Sequence, residues 1–172
     1  MTKIENIMKA VITYKDEAGQ LHTAIVPDSA ITRSKEPFFM PDDRPWKALT
    51  LSGVVIDRLG KSIAPKYASR YYSQCITAVH PFAVDESETY FDRWGRDGAL
   101  VACPAVSADG LTDEMRDIFA SLIESASRTA TLKTGDLILF GDFEGVFPLE
   151  RESKDYNVEG LSGCPPLRLK VR

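Results

Sequence analysis

A chain of 172 residues with 44% hydrophobic and 27% charged side chains has the balance of one ordinary globular domain. It can bury a core without disulfide or metal staples, and disorder, collagen-like repeats and coiled coil are excluded. A net charge of -4, with no run of Lys and Arg interleaved with aromatics, removes nucleic acid from the partners to consider.

The three cysteines, Cys75, Cys103 and Cys164, are odd in number, far apart in sequence and without a CxxC pair. That usage suits reduced thiols in a cytosol better than a disulfide framework or structural zinc. The start, MTKIENIMKAVITYKDE, mixes charge through its apolar residues and shows no secretory core region. No run reaches the roughly 20 apolar residues that span a bilayer. The expectation is a cytoplasmic protein with no membrane partner.

In chain order, Lys9 to Tyr14 and Gln20 to Val26 flank the polar turn KDEAG and predict a β-hairpin. PDSAITRSKEPFFMPDD follows, cut by Pro27, Pro37 and Pro41 into short extended pieces anchored by Ile31, Phe38 and Phe39. In WKALTLSGVVI a strand places Leu49, Leu51, Gly53 and Val55 on one side of the pleat. RLGK turns the chain into a short helical segment over about 65–74, with Pro65 near its start. CITAVHPFAV is a β-branched apolar run, DESETYFDRWGRDG an acidic exposed loop, and ALVACPAV a buried strand.

The strongest helix covers about 112–128. Thr112 is placed to cap it, Asp113 and Glu114 suit its positive end, and Met115, Ile118, Phe119, Leu122 and Ile123 repeat at helical spacing. TLKTGDLILFGDFEGVFPL then predicts two strands, LILF and VFPL, separated by a GDFEG loop, and LRLKVR alternates as a final strand. The sum is a β-rich α+β fold in one domain, 1–172, without βαβ alternation.

Few chemical motifs stand out. His22 and His80 lack local metal-type spacing, and no GxSxG elbow is present. Cys103 before Pro104 reads as a small buried hydrophobe before it reads as a nucleophile. Asp85, Glu86, Glu88 and Asp92 crowd one loop with the oxygens a hard cation needs, although such runs are usually solvated. Gly141 and Gly145 flank Asp142 and Glu144 in a turn able to bring backbone N–H groups to a ligand.

In order along the chain, these pieces resemble the fumarylacetoacetate hydrolase family, especially its compact bacterial members. TLKTGDLILFGDFEGV is similar to the family signature TLxxGDxIxTGTPxGV through Thr131, Leu132, Gly135, Asp136, Ile138, Gly141, Gly145 and Val146. PDSAITRSKEPFFMPD, VVIDRLGKSIAPKYASRYY and LRLKVR resemble further family segments, so the likeness runs in patches from about Pro27 to Arg172 and is weaker over the 1–26 hairpin of the same domain. An extra pair of family strands is missing around Asp109.

The resemblance implies a mixed β-roll with few helices, assembled as a homodimer. It also implies magnesium- or manganese-dependent chemistry on short keto and diketo acids: carbon-carbon bond hydrolysis, decarboxylation or isomerisation. The family's ligands are two glutamates spaced ExE and an aspartate. Counting from VVIDRLGK and from ASRYY puts those positions on Leu49, Leu51 and His80. The family arginine falls on Val84, followed by the matching Asp85, and the family lysine falls near Arg96. The signature threonine becomes Asp142 and its proline Phe143, and of the N-terminal NYxxH-type segment only Tyr14 remains.

Two leucines and an imidazole cannot replace three carboxylates around a divalent ion, and Asp142 adds negative charge where an anionic keto acid would bind. No metal cofactor is therefore expected. The leading expectation is a pseudoenzyme, a family fold used for binding or assembly, with Gly141, Asp142 and Gly145 as ligand contacts for a keto-acid-like molecule. Two alternatives stand beside it. One is a hydrolase, lyase or isomerase rebuilt around His80, Asp85 and Asp142, and the other a non-catalytic subunit pairing with an active relative.

Overall fold

The computed structural model describes residues 7–161 and 163–172; residues 1–6 of the opening stretch read above for a leader lie outside these. The hairpin forms as β1 (Ala10–Lys15) and β2 (Leu21–Val26), paired antiparallel. β3 (Ile31–Arg33) follows among the proline-cut pieces, and β4 (Trp46–Ile56) and β5 (Tyr72–Ala83) are the two long central strands. Between them lies a 3-10 helix, Pro65–Tyr71, where the short helix was expected. β6 (Leu100–Ala102), β7 (Val106–Ser107), β8 (Leu137–Leu149), β9 (Lys154–Val158) and β10 (Leu167–Val171) complete the strands.

The main sheet runs β2-β1-β8-β4-β5-β6-β3, with β7 also on β5, while β9 and β10 pair by themselves. The β1–β8 and β3–β6 pairs are parallel and the others antiparallel. It is a curled mixed sheet, β-rich with few helices. Both faces of β4 are covered. Leu49, Leu51 and Val55 enter one core with Trp46, Ile76, Leu139 and Leu169, and Val54 and Ile56 enter a second with Cys75, Phe119, Ile123 and Leu132. The long helix α2 (Asp113–Thr129) covers that second face. Thr112 Oγ1 accepts from Met115 N at 3.2 Å as its cap, and Met115, Phe119, Ile123 and Ser127 make its buried stripe. No helix among the described residues is long and apolar enough to cross a membrane.

Two expectations change. The segment taken for an exposed acidic loop contains a short helix, α1 (Tyr90–Trp94). Its Thr89 side chain accepts from Asp92 N at 3.1 Å while the Asp92 carboxylate accepts from Thr89 N at 3.3 Å, a reciprocal capping box. Two of the acids are less solvated than composition suggested: Arg44 Nη1 reaches Asp85 at 3.0 Å and Glu88 at 2.8 Å, while Glu86 and Asp92 are exposed. The GDFEG stretch is no loop between two strands but part of one strand, β8. Leu51 pairs with Gly141 and Leu49 with Val146, so β4 moves two residues while β8 moves five, and 142–145 bulge outward. The β9 strand had no counterpart in the sequence reading.

Candidate functional site

The central strands bring together the three positions that the resemblance assigns to metal ligands. In the β4–β5 register Leu49 faces His80 and Leu51 faces Ala78. All are buried, with Leu49 1%, Leu51 0% and His80 0% exposed. Gly141 belongs to this place for a packing reason. A Cβ on it would lie 2.5 Å from Leu51 Cδ2 and 2.9 Å from the Thr50 carbonyl, so the leucine occupies the space a side chain at 141 would need. Gly145 sits in the bulge, where a Cβ would lie 3.3 Å from the Asp142 carbonyl and 3.4 Å from Thr50 Cβ.

His80 is held by its ring faces and by one nitrogen. It stacks on Trp94 with centroids 3.8 Å apart and planes 12° apart, and on Phe82 at 5.6 Å. Nδ1 lies 2.6 Å from the Ala99 carbonyl, which only accepts, so this nitrogen carries the proton. Nε2 is buried with no hydrogen-bond partner. Burial holds the imidazole well below its ordinary pKa, and the nearby Arg93 and Arg96 charges act in the same direction, against the bond that Nδ1 donates to the Ala99 carbonyl. It is a neutral ring in an aromatic wall, and it does not titrate near neutrality.

That wall was not legible beforehand. Tyr14 meets Trp94 at 5.7 Å and Phe143 at 6.5 Å, and Phe143 meets Phe82 at 6.3 Å. The Arg93 guanidinium lies 4.5 Å from the Phe82 centroid, and that of Arg96 lies 4.4 Å from Trp46 while donating to the Pro81 carbonyl. Burial raises the Tyr14 pKa against the opposing Arg93 charge. The Thr89–Asp92 box followed by Trp94 was the one signal in the sequence able to place α1 and its tryptophan here.

The other two residues of the candidate catalytic set have separate partners. Asp85, beyond the end of β5, accepts from Arg44 Nη1 at 3.0 Å and from Ser87 Oγ at 2.6 Å; the Ser87 bonds and Arg44 lower its pKa. Asp142, half-buried in the bulge, accepts from Glu144 N at 3.1 Å. It borders a surface recess of about 370 Å³ lined with Lys15, Asp16, Glu17, Gly19, Phe143 and Glu144. The structure thus gathers Leu49, Leu51, His80 and Gly141, and gives Asp85 and Asp142 hydrogen-bond partners of their own. Cys103 is buried, its Sγ accepting from Thr77 N at 3.4 Å, and burial raises its pKa. His22 is on the surface, 2.7 Å from Asp16.

Magnesium or manganese does not fit the donors at the three related positions. Two are hydrocarbon, and the third offers a single imidazole nitrogen where a hard cation takes about six oxygens. Among the described residues no three His, Cys, Asp or Glu side chains converge as a metal site would require.

No protein-family model and no curated protein matches the chain. Solved structures do. A protein of Yersinia pestis CO92 assigned to the fumarylacetoacetate hydrolase family superposes at TM-score 0.79 and 16% identity, covering 96% of this chain and 93% of its own. The fumarylpyruvate hydrolase of Pseudomonas aeruginosa, solved with Mn2+ and pyruvate, gives 0.77 and 15%, with 96% and 89% covered. The 5-carboxymethyl-2-hydroxymuconate delta-isomerase of Mycobacterium smegmatis gives 0.80 and 21%, with 96% and 77% covered. The chain has the fold of fumarylacetoacetate hydrolase family proteins.

Proposed function

We propose that this chain uses the fumarylacetoacetate hydrolase fold without its metal-dependent keto-acid chemistry, as a homodimeric binding or assembly protein. The observation that carries the reading is the pairing of fully buried Leu49 and Leu51 with His80 and Ala78 across β4 and β5. Each leucine contributes roughly 1.5 to 3 kcal/mol by full burial, and Gly141 packs against them. What holds manganese and pyruvate in a protein such as the P. aeruginosa hydrolase would here have to displace core. The recess beside Asp142 is the proposed place for a small ligand, with Asp142 on its lining and Gly141 and Gly145 bounding the 142–145 bulge beside it.

Assay of the pure protein with acylpyruvates and oxaloacetate, with and without magnesium or manganese, tests this. No metal-dependent turnover is the expected result, and turnover abolished by a chelator contradicts it. A second reading, catalysis rebuilt around His80, Asp85 and Asp142, has in its favour the unpartnered Nε2 of His80. Turnover in the same assay that survives chelation and disappears in His80→Gln supports that reading. The related possibility of pairing with an active relative is separated by the mass of the complex isolated from cells.

A further inference from the structure

The cysteines far apart in sequence are not far apart in space. Cys75, on β5, turns into the layer under α2 and is 0% exposed. Its Sγ lies 3.3 Å from the carbonyl of Gly163, the residue before Cys164, and 3.5 Å from that of Ser107. Cys164 packs on the same cluster and is partly exposed. The two neighbouring thiols act on each other, which lowers the Cys75 pKa and raises that of Cys164, burial adding to the rise. A glycine pair fixes this approach. Gly163 has φ +89°, and a Cβ on it would run into the Gly110 carbonyl, so the 163–164 backbone lies against the turn after β7 with nothing between. Cys103 belongs to the core on the other face of the sheet.

We propose that Cys75 and Cys164 are an oxidisable dithiol that a hydroperoxide converts to a disulfide, stapling the segment between β9 and β10 to the central strand β5. Cys164, the partly exposed partner, meets the oxidant. In the singly ionised pair the remaining proton shifts from Cys164 to Cys75, and the exposed Cys164 sulfur attacks the peroxide oxygen; the O–O bond breaks, and Cys164 becomes a sulfenic acid while the alkoxide or hydroxide leaves and takes a proton. Cys75, buried beside it, is the resolving nucleophile. Its thiolate forms the S–S bond at Cys164, and the sulfenic oxygen leaves as water after protonation. Two thiols lose two electrons and two protons, and one hydroperoxide becomes an alcohol and one water. The bond closes a long loop of chain, the circumstance in which a disulfide restricts the unfolded state most.

The experiment treats the full chain with hydrogen peroxide and reads intact mass, peptide maps and melting. Expected are the loss of two hydrogen atoms, a peptide joining Cys75 to Cys164, Cys103 still open to alkylation after denaturation, and a higher melting midpoint that dithiothreitol reverses. Cys103→Ser forms the same bond. Cys75→Ser cannot, and a dimedone adduct then collects on Cys164. A cross-link through Cys103, or both Cys75 and Cys164 alkylated in full after peroxide, overturns the proposal. So does a dimedone adduct confined to Cys75 in Cys164→Ser together with none on Cys164 in Cys75→Ser.

Discussion

His80 shows how much one buried side chain changes when its surroundings are known. As a lone histidine before proline it was the one candidate acid or base near neutrality. In the fold its ring is sandwiched between Trp94 and Phe82, its Nδ1 is tied to Ala99, and burial lowers its pKa. The unfolded chain takes up a proton at this ring below about pH 6.5, whereas the native state resists it, so the unfolded state binds more protons in that window. Stability contributed by His80 is complete above about 6.5 and falls as the pH drops below it, by up to about 1.4 kcal/mol per pH unit. The lowered carboxylates, Asp16, Asp42, Asp85 and Asp155, lose their contributions only at lower pH, as their own range is entered. Urea unfolding at pH 7.5, 6.5 and 5.5 should show the decline in the parent and a flatter profile in His80→Phe. An unchanged slope in the variant contradicts this account of the ring.

The elements were legible where periodicity or capping spoke plainly and illegible where pairing decided. The Thr112 cap and the stripe at Met115, Phe119 and Ile123 placed α2 to within a residue or so. The β1–β2 hairpin followed from its turn chemistry. The continuous β8 did not, because two glycines and two acids read as a loop until β4 supplied a ladder on either side of the bulge. Helix α1 was missed because five residues are too few for a periodic signal, although its Thr89–Asp92 box was in view. The box matters because Trp94, 3% exposed, is the far end of this helix and the face on which His80 stacks. Thr89→Ala should destabilise the protein by about 1 kcal/mol and loosen the ring pair, read as a shift in tryptophan emission absent from Thr112→Ala. Equal emission changes in the two variants would detach α1 from the histidine.

At the scale of the whole molecule, family-like words scattered from Pro27 to Arg172 indicated the fold, and the superposed structures have it despite identities of 15 to 21%. The parallel β1–β8 and β3–β6 pairs join segments distant in the chain, which no local pattern encodes. The site was half legible. Counting residues from two motifs named Leu49, Leu51 and His80, and the β4–β5 register makes Leu49 and His80 neighbours. The aromatic wall, the half-buried Arg93 and Arg96 and the approach of Cys75 to the Gly163–Cys164 backbone depend on groups meeting across the fold, and no spacing announces those. One role did become clear: the signature aspartate, Asp136, is structural here, buried and 2.7 Å from Lys9 Nζ, pinning the start of β1 to the start of β8.

The buried Leu49, Leu51 and His80 put no oxygen donor at the strand positions proposed above as a lost metal site. Electron paramagnetic resonance of manganese titrated into the full-length protein reads this directly, because bound ion is lost from the free-ion signal. No stoichiometric binding is expected at micromolar manganese, with the same free-ion signal for the parent and His80→Ala. One manganese bound per chain, released by His80→Ala or by Leu51→Ala, would contradict it.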